Sequence, residues 1–351
     1  MKVKDLVSAL KALTVKHPRK GVSVGFTCVL VEAYQMTVSD SATWTTVKIE
    51  TGVREPTCFP VFELLNIVKH LPEGAKVTFK YNLVLCNETQ VGAILSMPGK
   101  YFPESGCPKV EMDTFTVDIK SLKDTSLFKS EEDVRFYVNG IYFDTDNLLI
   151  KATDGHRLYQ TPMGMGATGV RPFIMRGVQL EKVCSVFKSG DVTVATNGGF
   201  VIVERGGVYV ISKCIEGNFP DFGRVIPKKD NLTVKLRIEE FERALRKLGK
   251  TTDQEYQRLY LKVQYGRAVL SSTGGDLLEL TCKVTDSLDL RDKEASFCFN
   301  YGYMLDVLKV LGSQRSSVVE LRMTHKEEIL TPCKIESEGD TFIVMPMKGK
   351  D

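Results

Sequence analysis

One building plan recurs three times along the 351 residues, and this repetition limits the possible folds more than any single side chain does. Each copy has a segment with apolar residues at i, i+3, i+4 and i+7, then a glycine, then short alternating runs, which predicts a helix followed by strands. In the first copy these are Val61, Leu64, Leu65 and Val68, then Gly74 and VTFKY; in the second, Leu180, Val183, Cys184 and Phe187, then Gly190 and VTVAT. The third has Tyr301, Met304, Leu305 and Leu308, then Gly312 and VVELRM. The starts at 61, 180 and 301 are 119 and 121 residues apart, against a third of the chain at 117. A second echo agrees: the Phe-Pro pair of KYFPE at 100–104 returns in NFPD at 218–221. Three equal domains are expected, over 1–113, 114–230 and 231–351.

Each copy also opens with an earlier candidate helix, at 4–13, 118–129 and 238–250, and these segments are basic. Lys4, Lys11 and Lys16 belong to the first or its exit, Lys120, Lys123 and Lys129 to the second, and Arg243, Arg246, Lys247 and Lys250 to the third. Lys69, Lys188 and Lys309 fall at one repeat-equivalent position, eight residues after each later helix start. A lysine on a solvated helix face, or in a last turn where it suits the helix dipole, needs no further reason. Recurrence in three registers points instead to a shared basic surface, although the net charge of the chain is only +3.

Between the helices the sequence alternates as strands do, in FVIVE, VYVIS and LYLKV, with turns such as NGG at 197–199 and RGG at 205–207 that make hairpins. Tight turns replace crossover helices, so the predicted class is α+β with antiparallel sheets and two helices per domain on one face. Copies of such a domain can continue their sheets edge to edge, which also protects the edges.

Composition excludes several classes. Apolar residues at 43% and charged residues at 26% describe an ordinary globular chain. No apolar run reaches the roughly 20 residues of a membrane span, and MKVKDLVSAL lacks the form of a secretion signal, so a cytoplasmic location is expected. Nine cysteines without CxxC spacing, scattered from Cys28 to Cys333, fit reduced core thiols better than disulfides or a zinc site. No cofactor or metal is expected.

Catalytic signatures are absent: there is no phosphate loop, GxSxG, HExxH or EF-hand loop. The four histidines are His17, His70, His156 and His325. Asp154 and His156 in ATDGHRL could be imagined as an acid and base, but Asp-Gly is a strong turn dipeptide and no nucleophile is identifiable nearby. A turn presenting His156, Arg157 and Leu158 is the expected reading, and no enzyme activity is expected.

ATDGHRL at 152–158, preceded by DVRFYVNG at 133–140 and followed by EGNFPDFGRVIP at 216–227, resembles the bacterial replicative sliding clamp family, the beta subunits of DNA polymerase III. FNYGYMLDVLKVL at 299–311 and FIVMPMK at 342–348 extend the resemblance in order through the last two thirds. In the first third, LPEGAKV at 71–77 and KYFPES at 100–105 are the main supports.

The resemblance implies a head-to-tail homodimer, a ring of six domains with sheets outside and helices lining a hole around duplex DNA. It implies a non-catalytic processivity factor whose partners are DNA, a replicative polymerase, a clamp loader and other proteins carrying a clamp-binding peptide. DNA-facing candidates are then Lys11, Arg19, Lys20, Lys69, Lys120, Lys123, Lys188, Arg246, Lys247 and Lys309. A peptide pocket between the second and third domains would use Arg135, Tyr137, Val138, Thr153, Gly155, His156, Arg157 and Leu158. Pro220, Arg224 and Val225 would form its floor, and Tyr303, Leu330, Pro332, Ile343, Met345, Pro346 and Met347 its far side. This is a Met-rich apolar groove with cations at the rim, suited to an extended peptide with apolar anchors. Phe102 and Leu248 match the ring-closing interface. Two features depart from the family pattern: the chain continues past Met347 as LysGlyLysAsp, and its net charge is positive where relatives are commonly acidic.

Overall fold

The computed structural model describes residues 1–13, 27–80, 82–164, 166–264, 267–286, 294–314, 317–324 and 331–348. Among the candidate residues Arg19, Lys20 and Leu330 lie outside the described residues, as do Lys16, His17, His325 and the last three residues of the tail.

Among the described residues six α-helices form at the candidate positions: α1 (Val3–Leu13), α2 (Val61–Val68), α3 (Ile119–Ser126, ending short of the expected 129), α4 (Gly177–Val186), α5 (Ile238–Leu248) and α6 (Tyr301–Leu311). Helix α4 begins three residues before Leu180, because Gln179 is buried there and donates its side-chain amide to the carbonyls of Val201 and Val210 at 3.1 and 3.3 Å. A polar core residue interrupts the apolar period from which the start was read. The strands between the helices pair antiparallel throughout, and the class is α+β.

The chain divides into two compact units, residues 1–122 with 164–216, and residues 123–163 with 217–351. In the first unit nine strands run in the order Met97–Pro98, Thr57–Pro60, Cys28–Glu32, Gln35–Ser39, Thr43–Lys48, Val208–Lys213, Phe200–Arg205, Asp191–Thr196 and Asp113–Asp118. A seam between the first and second thirds of the sequence is thus an ordinary ladder, with Val47 opposite Val208 and Thr45 opposite Val210. Val3, Leu6, Leu10 and Leu13 of α1 and Val61, Leu64 and Val68 of α2 fill the core beneath the first-third strands. Burying one such aliphatic side chain contributes about 1.5–3 kcal/mol, so these faces fix how the helices sit.

The second unit repeats the arrangement with the middle and last thirds. Gly140–Asp144, Leu149–Thr153, Arg157–Pro162, Asp340–Val344, Cys333–Ser337, Val318–Met323, Leu232–Arg237 and Lys283–Asp286 lie side by side in that order. Here the seam pairs Leu158 with Ile343 and Tyr159 with Phe342. A four-stranded sheet, Leu277–Thr281, Arg267–Ser272, Arg258–Gln264 and Ala295–Asn300, completes the unit. Helices α5 and α6 bury Phe241, Leu245 and Leu248, and Met304, Val307, Leu308 and Leu311. Asn300 caps α6 by accepting the Tyr303 amide at 3.1 Å, and Gly249 is required after α5 because a Cβ there would sit 2.4 Å from the Tyr301 ring.

Sheet continuity across the thirds explains why two compact units, rather than three, emerge. Each unit joins the sheet of one outer third to part of the middle one, so the middle sequence third is shared between them.

Candidate peptide groove and basic helix faces

The second unit brings most of the candidate pocket residues together, and the turn at 153–158 is its centre. Thr153 donates its hydroxyl to the Arg157 carbonyl at 2.7 Å and accepts the Gly155 amide at 3.0 Å. Asp154 accepts the amides of His156 and Arg157 at 2.9 and 3.0 Å, and Gly155 takes φ of +90°. A side-chain-capped turn of this kind holds its backbone in place, leaving His156 exposed while Arg157 is half-buried and Leu158 returns to the core. The Asp154 carboxylate is thereby bound into the turn.

Arg157 is the most constrained group of the site. Its Nε donates to Asp154 at 2.9 Å, its Nη1 to Asp306 at 2.5 Å and its Nη2 to the Leu127 carbonyl at 2.7 Å. The guanidinium carbon stands 5.1 Å from the Phe128 ring centre and 4.6 Å from that of Tyr303. His156 stacks on the other approach to Tyr303, with ring centres 6.3 Å apart and planes at 18°. Burial pushes the Tyr303 phenol above its ordinary value, with the Asp154 charge adding to the effect.

Arg135 covers the same turn. The positive φ favours glycine at 155, and a Cβ there would come within 2.8 Å of the Arg135 Nη2 and displace the end of that side chain. Arg135 is itself held by Asp133, at 2.6 Å from Nη2 and 3.0 Å from Nε, and these hydrogen bonds hold the Asp133 carboxyl down at about 2. Tyr137 and Val138 follow in the short helix Phe136–Val138, in which Val138 is buried.

The far side is the chain's C-terminal stretch. Its strand, Asp340–Val344, pairs with Arg157–Gln160, and beyond it the Met345 amide donates to the His156 carbonyl and the Met347 amide to the Cys298 carbonyl, at 2.9 and 2.8 Å. Met345, Pro346 and Met347 are thereby tied beside the turn with their side chains half exposed. Pro332 is half-buried just before Cys333, which pairs with Val344. Pro220, Arg224 and Val225 lie in the loop after Gly217, whose Phe219 stacks on Tyr142 at 4.8 Å. Arg224 is exposed and Pro220 and Val225 are half-buried.

Some candidates take other positions. Leu158 and Ile343 are 2% and 1% exposed and oppose each other in the ladder, so they lie beneath the candidate surface rather than on it. Thr153 is likewise buried and acts through the turn. Phe102 packs inward with Cys28 and Cys58, and Leu248 is 1% exposed inside its own unit, so neither offers a large apolar surface to a partner. Lys129 is buried beside Glu131 at 2.7 Å, which takes it off the basic surface. Seven of the nine cysteines are buried, and burial pushes the Cys58 thiol up to about 12.

The basic candidates lie mostly at the surface, with Lys69 and Lys188 just past the ends of α2 and α4 rather than on them. Lys11, Lys69, Lys120, Lys188, Arg246, Lys247 and Lys309 are exposed, and Lys123 is half-buried. Arg246 is drawn to Glu242 one turn earlier, through both Nε and Nη2 at 2.9 and 2.7 Å. Asp306, Asp133 and Leu127, which hold the two groove arginines, escape sequence reasoning. Asp306 lies 149 residues from Arg157, and only its place one turn after Tyr303 on a helix face hints at a role.

Comparison with known proteins agrees with this geometry. A family model described as "DNA polymerase III beta subunit, central domain" matches residues 111–221. The beta sliding clamp of Proteus mirabilis is 25% identical over 305 residues, covering 83% of this chain and 82% of its own length. The crystal structure of the DNA polymerase III subunit beta from Pseudomonas aeruginosa superposes with a TM-score of 0.84 at 19% identity, over 99% of each chain. A sliding clamp from Bartonella birtlesii, solved bound to griselimycin, gives 0.82 at 23% identity, again over 99% of each chain. The structures establish a common fold.

Proposed function

Because this chain is a relative of the DNA polymerase III beta subunits, we propose that it is a DNA sliding clamp: a non-catalytic processivity factor that encircles duplex DNA and tethers a replicative polymerase through the groove beside Thr153–Arg157. The observation that carries the reading is the convergence of Arg135, Gly155, His156, Arg157, Tyr303 and Met345 in one unit from four separated stretches of sequence. A half-exposed Met-Pro-Met segment beside an aromatic ring and restrained cations suits an extended peptide with apolar anchors.

In this reading 1–113, 114–230 and 231–351 are three clamp domains, and two copies of the chain close head to tail into a ring. The short sheets ending in Thr89–Ala93 and Leu277–Thr281 supply edge strands for ring closure. Lys11, Lys69, Lys120, Lys123, Lys188, Lys247 and Lys309 then face phosphates, with Arg246 contributing less because Glu242 already holds it. Contacts to phosphate are strongly salt-dependent and blind to base identity, which allows movement along the duplex. Retention comes from topology: a threaded duplex cannot leave sideways. The polymerase, a clamp loader and other peptide-bearing proteins are the partners, and the cytoplasm is the place of action. Among the described residues no helix is long and apolar enough to cross a membrane.

The test is loading onto a nicked circular DNA with a clamp loader, followed by linearisation. Retention on the circle and loss from the linear product is the expected result. Equal retention on linear DNA with open ends would refute encirclement.

A further inference from the structure

Arg157 has three of its donors spoken for, by Asp154, Asp306 and a backbone carbonyl, and its flat group lies against two aromatic rings. Its side chain is 10% exposed, Asp154 is 16% exposed and Asp306 33%. Two cations, Arg157 and Arg135, face three carboxylates, Asp154, Asp306 and Asp133, so one carboxylate charge is in surplus around the turn. Asp154 is consumed by the turn as well, whereas Asp306 comes from α6 and reaches the turn through the guanidinium.

We infer that Asp306 is a positioning and specificity residue of the groove: it holds Arg157 flat between Phe128 and Tyr303 and makes that wall accept an apolar anchor while rejecting an acidic one. The inference rests on the groove being the peptide site and adds what chemistry the site selects. Two physical steps carry it. An arginine fixed by carboxylates in its fork presents its planar face, which stacks with rings and apolar groups and keeps its donors turned away from a ligand. The surplus carboxylate charge, held in a half-buried position where screening is weaker than in water, opposes a second carboxylate brought alongside. Without Asp306 the guanidinium would swing toward the groove and offer a fork to an acidic side chain instead.

The experiment compares wild type with D306N and D306E. The probes are an extended peptide with leucine at alternate positions, the same peptide with its last leucine replaced by glutamate, and griselimycin as a reference ligand. Affinities are read by fluorescence anisotropy, with thermal melting to verify folding. Wild type is expected to favour the leucine peptide. D306N should weaken the leucine peptide roughly fivefold, the scale of about 1 kcal/mol, and strengthen the glutamate peptide, so that the ratio between them collapses, while D306E should restore it. An equal fall for both peptides would mark Asp306 as a structural support only and overturn the inference, as would no change in either. Failure of the wild type to bind the leucine peptide or griselimycin would instead strike at the peptide-groove reading itself.

Discussion

Phe342 is the residue whose loss tests the architecture of the second unit most directly. It is fully buried in the last strand, faces Tyr159 across the seam between the middle and last thirds, and opposes Ile335 on its other side. Its ring centre is 4.7 Å from Tyr159 and 5.8 Å from Phe128, and the latter two are 5.0 Å apart, so three rings form one cluster. Phe342→Ala removes the transfer energy of a benzyl group and leaves a cavity, about 3–5 kcal/mol for a core phenylalanine. Two of the three ring contacts vanish with it, at about 0.5–1.5 kcal/mol each where such pairs have been measured, which places the loss toward the upper end, about 4–5 kcal/mol. The single tryptophan, Trp44, lies in the first unit and hydrogen-bonds the Pro103 carbonyl at 2.8 Å, so its fluorescence reports that unit alone. Urea unfolding followed by far-ultraviolet circular dichroism should therefore show an early transition ahead of the Trp44 transition. In the proposed clamp, affinity for a polymerase-derived peptide should fall in parallel, since Met345 directly follows that strand and donates its amide to the His156 carbonyl. A loss below about 1 kcal/mol would refute the claim that this cluster anchors the seam.

Three further perturbations separate the two surfaces and the core. Met345→Ala should cost the proposed binding of a polymerase-derived peptide about 2 kcal/mol or more by calorimetry with unchanged solution mass, and undiminished affinity would exclude the Met-Pro-Met segment as an anchor site. Lys247→Glu should shorten retention on nicked circular DNA and flatten its salt dependence by about one phosphate contact, and Arg246→Glu should do less, because Glu242 already engages that side chain; equal effects would contradict the pairing. Burial opposes ionisation of Asp144, but hydrogen bonds from Lys151, at 2.5 Å, and from Asn147 outweigh it and hold its carboxyl below the usual range. A depressed carboxyl stabilises the fold above its unfolded value of about 3.9 and ceases to do so as pH falls through the folded value. Urea midpoints should therefore drop as pH is lowered below about 4, and Asp144→Asn should be less stable at pH 7 yet lack that part of the acid decline.

What could be read in the sequence was whatever depends on near neighbours. Apolar residues at helical spacing sufficed for α1, α2, α5 and α6, and the same spacing missed the start of α4 only because a buried glutamine breaks the pattern. The Asp-Gly turn was legible because Thr153, Asp154 and Gly155 close it among themselves. Side-chain direction was harder. Lys129 carries a charge that composition assigns to the surface, but it lies beyond α3 and folds back into the unit with Glu131 as partner. Phe102 and Leu248 were assigned to the ring-closing interface by resemblance alone, and burial of both within their own clusters is something no local pattern announces. The Arg157–Asp306 pair is beyond any local rule, since its partners meet only once two distant segments have folded together.

In the proposed clamp, the contrast between the two surfaces would let one chain hold a peptide firmly while only corralling DNA. In the groove, Arg135 and Arg157 are each fixed by carboxylates within hydrogen-bonding distance, which restrains their rotamers and adds geometric selectivity. On the helices and at their ends, Lys69 lends its ammonium to the neutral Asn66 amide oxygen at 2.8 Å, which leaves the charge uncompensated, and Lys11, Lys247 and Lys309 project from exposed faces. A lysine is a flexible, strongly hydrated point charge, able to exchange one phosphate for the next at little cost. On the proposed reading, planar, pinned cations sit where a partner is recognised, and mobile ones where a duplex passes. Turning the groove arginines into lysines should relax peptide selectivity, whereas turning the helix lysines into arginines should slow diffusion along DNA at low salt.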